Sequence, residues 1–312
     1  MRYRCHSCGK TFSSYQKKTG EKKSIISLFE KYILDCLTYK NITLLSKLSV
    51  FTLRRRFDQL LASSPPSFNL PLQSETEVAY LLVDGLWFGK RFCLMVYRQS
   101  KLKLLLYASF MAKEYGSLIS KDLEKFKKKG YHFTGVVSDG GTGVRKAVFK
   151  TFGHIPHQIC LAHTHRQAVN SLGRCPKDNR VKELKKLADH LWLIESKEAL
   201  KWWKGKLQAW INSNREFTRE YRRDDQGHWW YIHKGVRKAL RTLVSAPDFC
   251  FKFLDHPLMP KTTNEIEGQF SAISKKSLVH IGLKREKIQS FLKWFIYFYN
   301  KRILSYRKKK NT

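Results

Sequence analysis

Three consecutive apolar runs constrain this chain most. EVAYLLVDGLWFG, KRFCLMVYRQS and KLKLLLYASF follow one another between residues 77 and 110, separated only by short polar breaks. Each has the length of a buried strand rather than of a core helix. A helix is expected next, from about Glu114 to Lys128. TGVVSDGG then reads as a strand ending in a glycine-rich turn, and TGVRKAVFKTF as a helix. HQICLAH reads as a further strand leading into a helix from about Thr164. A meander of three strands followed by alternating helix and strand predicts an α/β fold, a mixed sheet flanked by helices.

The flanking segments have a different character. Residues 1–18 contain Cys5 and Cys8 as a CxxCGK turn, which is half of a zinc ribbon. Four ligands are needed to close such a site around Zn²⁺, so a partner or sequence upstream of Met1 would have to complete it. Residues 20–61 read as helical, with Ile25, Leu28, Ile33 and Leu37 at helical spacing. Within them, Asn41 or Thr43 caps a short helix through Leu48, Ser49–Val50 form a turn, and Thr52 caps a second helix. The second helix carries Arg54, Arg55 and Arg56, and Lys47 precedes it, which is the arrangement of a helix-turn-helix with a basic reading helix. A plain helical hairpin with a solvated basic face has the same pattern. Residues 62–75, with two adjacent prolines and several serines, read as a linker.

Residues 164–260 read as mostly helical and hold six of the eight tryptophans, of which most are expected in the core. Beyond them a helix is expected at about 263–275, then a long amphipathic helix from about Arg285 to Tyr306 and a basic arm, RKKKNT.

With 60 Lys and Arg against 25 Asp and Glu, the formal net charge is +35, which calls for a polyanionic partner. Nucleic acid is the polyanion such a charge fits best. No apolar run is long enough to span a bilayer and the start lacks a signal-peptide core, so a cytoplasmic, nucleoid-associated protein with no membrane partner is expected. The seven cysteines are spread too unevenly for a disulfide framework.

In so basic a chain the isolated acids are informative. Asp84 is the only acid between Glu77 and Glu114, and Asp139 the only one between Glu124 and Asp178. Both end apolar runs and both precede glycine. A carboxylate there is costly unless an arginine, a lysine or a divalent metal compensates it. The third candidate is Glu267 in KTTNEIEGQFSAI, where Thr262 and Glu265 have capping-box spacing. Ile266, Phe270 and Ile273 mark the buried stripe of that helix, and Asn264 shares the side of Glu267. Converging carboxylates of this kind suit Mg²⁺ and two-metal phosphodiester chemistry.

The ordered set VDGLWFG, VVSDGGTGVRKAV, CLAH and TTNEIEGQF resembles the DDE transposases of bacterial insertion sequences, in particular the Mutator-like group. The resemblance covers about residues 75–303. It implies an RNase H-like catalytic domain, its first part at 76–163 and its last at 261–312, with an all-helical insertion at 164–260. It implies Asp84, Asp139 and Glu267 as the catalytic triad holding two Mg²⁺ ions, with Mn²⁺ as a substitute, and double-stranded DNA as substrate. Two element ends imply at least a homodimer on DNA. Cys160 and His163 match the family's Cys-x-x-His and, like Asn264, would support the site; a zinc site there would need two more ligands, for which His157, His165 and Cys175 are the candidates. Two competing readings are a helix-turn-helix regulator or inactive remnant without chemistry, and another nuclease of the same fold.

Overall fold

The computed structural model describes residues 2–4, 6–9, 11–13, 24–35, 37–66, 78–88, 92–112, 114–268 and 285–310. Cys5, Phe270 and Ile273 fall outside them, so the CxxC pair is represented by Cys8 alone, exposed on a turn between β1 (Arg2–Arg4) and β2 (Thr11–Ser13). The chain forms two compact units that divide between residues 67 and 68, within the expected linker.

The first unit joins β1, β2 and three helices, α1 (Ile25–Leu34), α2 (Tyr39–Ser46) and α3 (Val50–Ala62), to the C-terminal helix α11 (Arg285–Lys310). The assignment of 261–312 to a single catalytic segment therefore divides, because α11 turns an aromatic face onto α1 and α3. Phe29 meets Trp294 edge-on at 5.3 Å, and Trp294 Nε1 donates to the Leu60 carbonyl at 2.9 Å. Arg302 donates to Glu30 at 2.7 Å and to Asp35 at 2.8 Å. The helix also continues through Lys310, where a basic arm was expected.

Helices α2 and α3 are joined by a three-residue turn, residues 47–49. Their caps differ from the sequence expectation. Thr38, in a capping box with Asn41, starts α2, and Ser49 starts α3. Each supplies a side-chain oxygen to an otherwise unbonded N–H. Lys47 ends α2 in the left-handed region at φ 56°. Leu53, Phe57 and Leu61 bury one face of α3, leaving Arg54, Arg55 and Arg56 exposed.

The second unit is built on a mixed five-stranded sheet flanked by helices. Its strands are β3 (Tyr80–Phe88), β4 (Phe92–Gln99), β5 (Leu105–Met111), β6 (Gly135–Ser138) and β7 (His157–Ile159), in the order β5-β4-β3-β6-β7. β4 runs antiparallel to both its neighbours, while β6 and β7 run parallel to β3. Leu81, Val83, Met95 and Tyr97 pack against α4 (Gly116–Lys128) and α5 (Thr142–Phe152) through Ile119, Leu123, Phe126, Val144 and Val148.

The last strand is shorter than expected. Cys160 is the N-cap of α6 (Leu161–Leu172), which starts three residues before Thr164 and places Cys160 and His163 on the first helical turn. Helices α7 (Asn179–Asp189), α8 (Lys197–Ser213), α9 (Arg215–Arg219) and α10 (Lys234–Phe249) follow. They are interrupted by an unexpected hairpin, β8 (Tyr221–Arg223) and β9 (Trp229–Tyr231), so the region is not all-helical. The tryptophans there are mostly not core residues. Trp203 and Trp210 are buried and donate to main-chain carbonyls of Leu187 and Arg180, whereas Trp192, Trp202, Trp229 and Trp230 are exposed.

Candidate metal centre

The parallel pairing of β3 with β6 ends at Val83 opposite Ser138, so Asp84 and Asp139 are the next residues on neighbouring strands. Beyond this point β3 continues to Phe88 only as the partner of β4. Asp84 therefore lies within a strand, but where a parallel pair splits and opens a crevice. It is buried, at 5 % exposure. Its Oδ1 accepts from the Gly85 N–H at 2.9 Å and its Oδ2 from the Thr263 hydroxyl at 3.0 Å. Asp139 Oδ1 accepts from the Gly141 N–H at 3.0 Å, which folds the glycine-rich turn back on the carboxylate.

Glu267 reaches the crevice from the helical turn at 264–268. Asp84, His163 and Glu267 offer ligand atoms all within 4.8 Å of one another. Asp139 stands outside this close group, although it is near enough to act on Asp84 electrostatically. His163 Nε2 lies 3.6 Å from Glu267 Oε1, and the Arg166 guanidinium donates to both Glu267 oxygens at 3.1 and 3.3 Å.

Two expectations about this helix start are corrected. Glu265 does not close a capping box with Thr262; its carboxylate pairs with Arg98, a buried arginine of β4 that demands a counter-charge. Asn264 is exposed, and its N–H bonds the Thr262 hydroxyl rather than an acid of the crevice. The supporting residue is Thr263, fully buried, whose hydroxyl holds Asp84 and whose N–H donates to Cys160 Sγ at 3.3 Å. Thr263 stands in the Thr-Asn-x-x-Glu motif, which was the signal available for it.

Burial and close neighbours shift the titrating groups of the crevice. Burial pushes the Asp84 carboxyl up to about 6; Asp139 adds to this, while His163, Thr263 and the Gly85 N–H oppose it. Cys160 is the main cause that raises His163 to about 9, with Asp84 and Glu267 contributing against burial. For Cys160 burial acts upward, but His163 and Thr263 outweigh it and the thiol is held low. His163 Nδ1 is buried without a hydrogen-bond partner among the described residues.

His157, His165 and Cys175 do not complete a zinc site. His157 bonds Ser138 at 2.8 Å, His165 bonds Asp189 at 2.8 Å, and Cys175 is exposed. Asp84, His163 and Glu267 together offer two carboxylate oxygens and an imidazole nitrogen, a mixed donor set. Gly85 leaves room beside Asp84 that a Cβ would fill, 2.7 Å from Glu114 Oε1 and 2.9 Å from Cys93 Sγ. The group of Asp84, His163 and Glu267 could hold a metal ion.

Among the described residues, no helix is long and apolar enough to cross a membrane. No family model matches the chain, and no curated protein matches it.

Proposed function

We propose that this chain is a DDE-type DNA transposase that cuts the ends of an insertion sequence and joins them to new sites. The observation that carries the reading is the convergence of Asp84 and Glu267, from a strand and a distant helical turn, into one group with His163. The strand order, with its single antiparallel crossing at β4 and two parallel strands beyond β3, supports an RNase H-like catalytic unit. The exposed arginines of α3 after a three-residue turn support DNA reading by a helix-turn-helix, with Lys47 at its edge. The charge of +35 supports double-stranded DNA as the partner and, with two ends to hold, a dimer or higher assembly. Zn²⁺ at Cys5 and Cys8 belongs to the same proposal.

Asp84, Asp139 and Glu267 would hold Mg²⁺, or Mn²⁺ in its place. Bound there, the metal supplies activation of water and stabilisation of the leaving oxygen. The protein's own groups orient the substrate. Asp84 is mostly ionised at neutral pH, and Thr263 fixes the direction of its carboxylate. His163 is cationic below about pH 9 and faces the same crevice. Arg166, half-exposed on α6, has a fork that can leave Glu267 for a phosphate oxygen.

That same Arg166–Glu267 pair favours the second reading, an inactive DNA-binding remnant whose last acid is neutralised. The test is cleavage and joining of DNA that carries the flanks of this reading frame. Mg²⁺-dependent nicked and joined products are expected, with a loss of at least about a hundredfold in Asp84→Asn and Glu267→Gln while DNA binding is kept. Cutting at the unaltered rate by Asp84→Asn overturns the catalytic reading; DNA binding with no cutting by the native chain leaves the remnant.

A further inference from the structure

Glu114 is absent from the triad pattern, yet the fold delivers it to the crevice. It lies in the loop before α4. Gly143, on the first turn of α5, lets that loop approach directly: a Cβ there would sit 2.7 Å from the Glu114 carbonyl and 3.3 Å from the Gly116 nitrogen. The Glu114 side chain is anchored by one oxygen only. Its Oε1 accepts from Trp87 Nε1 at 2.9 Å and from Cys93 Sγ at 3.6 Å. Its Oε2 takes no hydrogen bond among the described residues and lies 3.8 Å from the point where Gly141 would carry a Cβ. The Asp139 oxygens lie 3.4 and 3.6 Å from that point, so two carboxylates face one bare position.

The charge balance makes this arrangement informative. Glu265 and Glu267 are neutralised by Arg98 and Arg166, and Asp122 by Lys125. Among the described residues, no lysine or arginine pairs with Asp84, Asp139 or Glu114, in a chain with 60 such cations. Asp84 has His163 as its neighbouring cation, whereas Asp139 and Glu114, which face one position, repel each other unless a cation joins them.

Resting on the metal-dependent reading above, we infer that Glu114 is a fourth carboxylate of the centre, paired with Asp139 on the side away from Glu267. The centre then has two halves that share Asp84, one completed by Glu267 and the other by Glu114. The Trp87 indole and Cys93 thiol fix one Glu114 oxygen and leave the other directed to the cation.

Mn²⁺ binding by the full-length chain without DNA tests this, read by electron paramagnetic resonance of free Mn²⁺. Glu114→Gln keeps an oxygen acceptor for Trp87 and removes the charge. The native chain is expected to take up two ions. Glu114→Gln and Asp139→Asn should each weaken one of them by about tenfold or more and leave the other unchanged. Asp84→Asn should weaken both. Circular dichroism of Glu114→Gln should match the native spectrum. Native Mn²⁺ uptake by Glu114→Gln, with loss in Asp139→Asn and Asp84→Asn, overturns the role of Glu114 and leaves the metal centre standing. Native uptake by all three variants overturns the metal centre itself.

Discussion

The Thr263 hydroxyl donates to Asp84 Oδ2 at 3.0 Å, while the N–H of the same residue donates to Cys160 Sγ. One fully buried threonine thus ties the strand acid, the start of α6 and the turn that presents Glu267. Thr263→Val keeps the shape and deletes the donor, leaving a buried carboxylate short of a partner. A loss of about 1–3 kcal/mol in chemical unfolding is expected, with a drop in metal-dependent cutting. Thr263→Ser should restore both. A Val variant with native stability and native cutting would show that the bond contributes nothing.

Gly143 decides how close the Glu114 loop can come. In a helix, Ala replaces Gly with a gain of about 1 kcal/mol. Here the added Cβ would stand 2.7 Å from a main-chain oxygen, which cannot swing aside as a side chain would. Overpacking of that kind costs about 1–3 kcal/mol, so the net effect should be destabilising or neutral. Gly143→Ala is expected to lower the unfolding midpoint or leave it unchanged and to weaken Mn²⁺ uptake; a raised midpoint with native uptake would contradict the close approach.

The Arg98–Glu265 pair is asymmetric, with Arg98 side chain 4 % exposed and Glu265 48 %. Glu265→Ala strands a buried guanidinium whose Nε already lacks a partner among the described residues. Breaking a buried pair costs about 3–5 kcal/mol, and the exposed partner reduces this to about 2–3. Arg98→Met replaces the charge with apolar volume and should cost less than Glu265→Ala in the same urea titration. The reverse order would contradict the burial of the charge.

Much of this was legible in the sequence, and the omissions have physical causes. The runs YLLVD and GVVSD located Asp84 and Asp139 because buried parallel strands are continuously apolar. The β8–β9 hairpin was not legible: YRR and WWY are three residues each, too short to show a period. Burial of the tryptophans failed as an expectation because composition reports hydrophobicity, not which helix face meets a neighbour. Trp203 and Trp202 are adjacent, yet one is fully buried and the other 55 % exposed. Thr263 was legible only as part of the Thr-Asn-x-x-Glu motif, whereas Glu114 meets Trp87 and Cys93, contacts across the chain that no local spacing encodes.

His157 gives a pH prediction with a defined sign. Burial, aided by Arg145, pushes its imidazole down to about 4 from 6.5. The folded chain keeps it neutral, so as pH falls the unfolded chain takes up the proton first. The stabilisation is complete above about pH 6.5, declines toward pH 4 and is absent below. Its full size is on the order of 3 kcal/mol. His157→Gln, which can still bond Ser138, should lose less stability between pH 7 and 4.5 than the native chain. Equal losses would contradict a neutral His157.

The most direct measurement is anomalous scattering from a crystal of the full chain equilibrated with Mn²⁺. The metal reading predicts a peak bounded by the Asp84 and Glu267 carboxylates, with the Arg166 guanidinium displaced from its present contact 3.1 Å from Glu267. Glu267 still bridged by Arg166, with no anomalous density beside Asp84 at millimolar Mn²⁺, would contradict it.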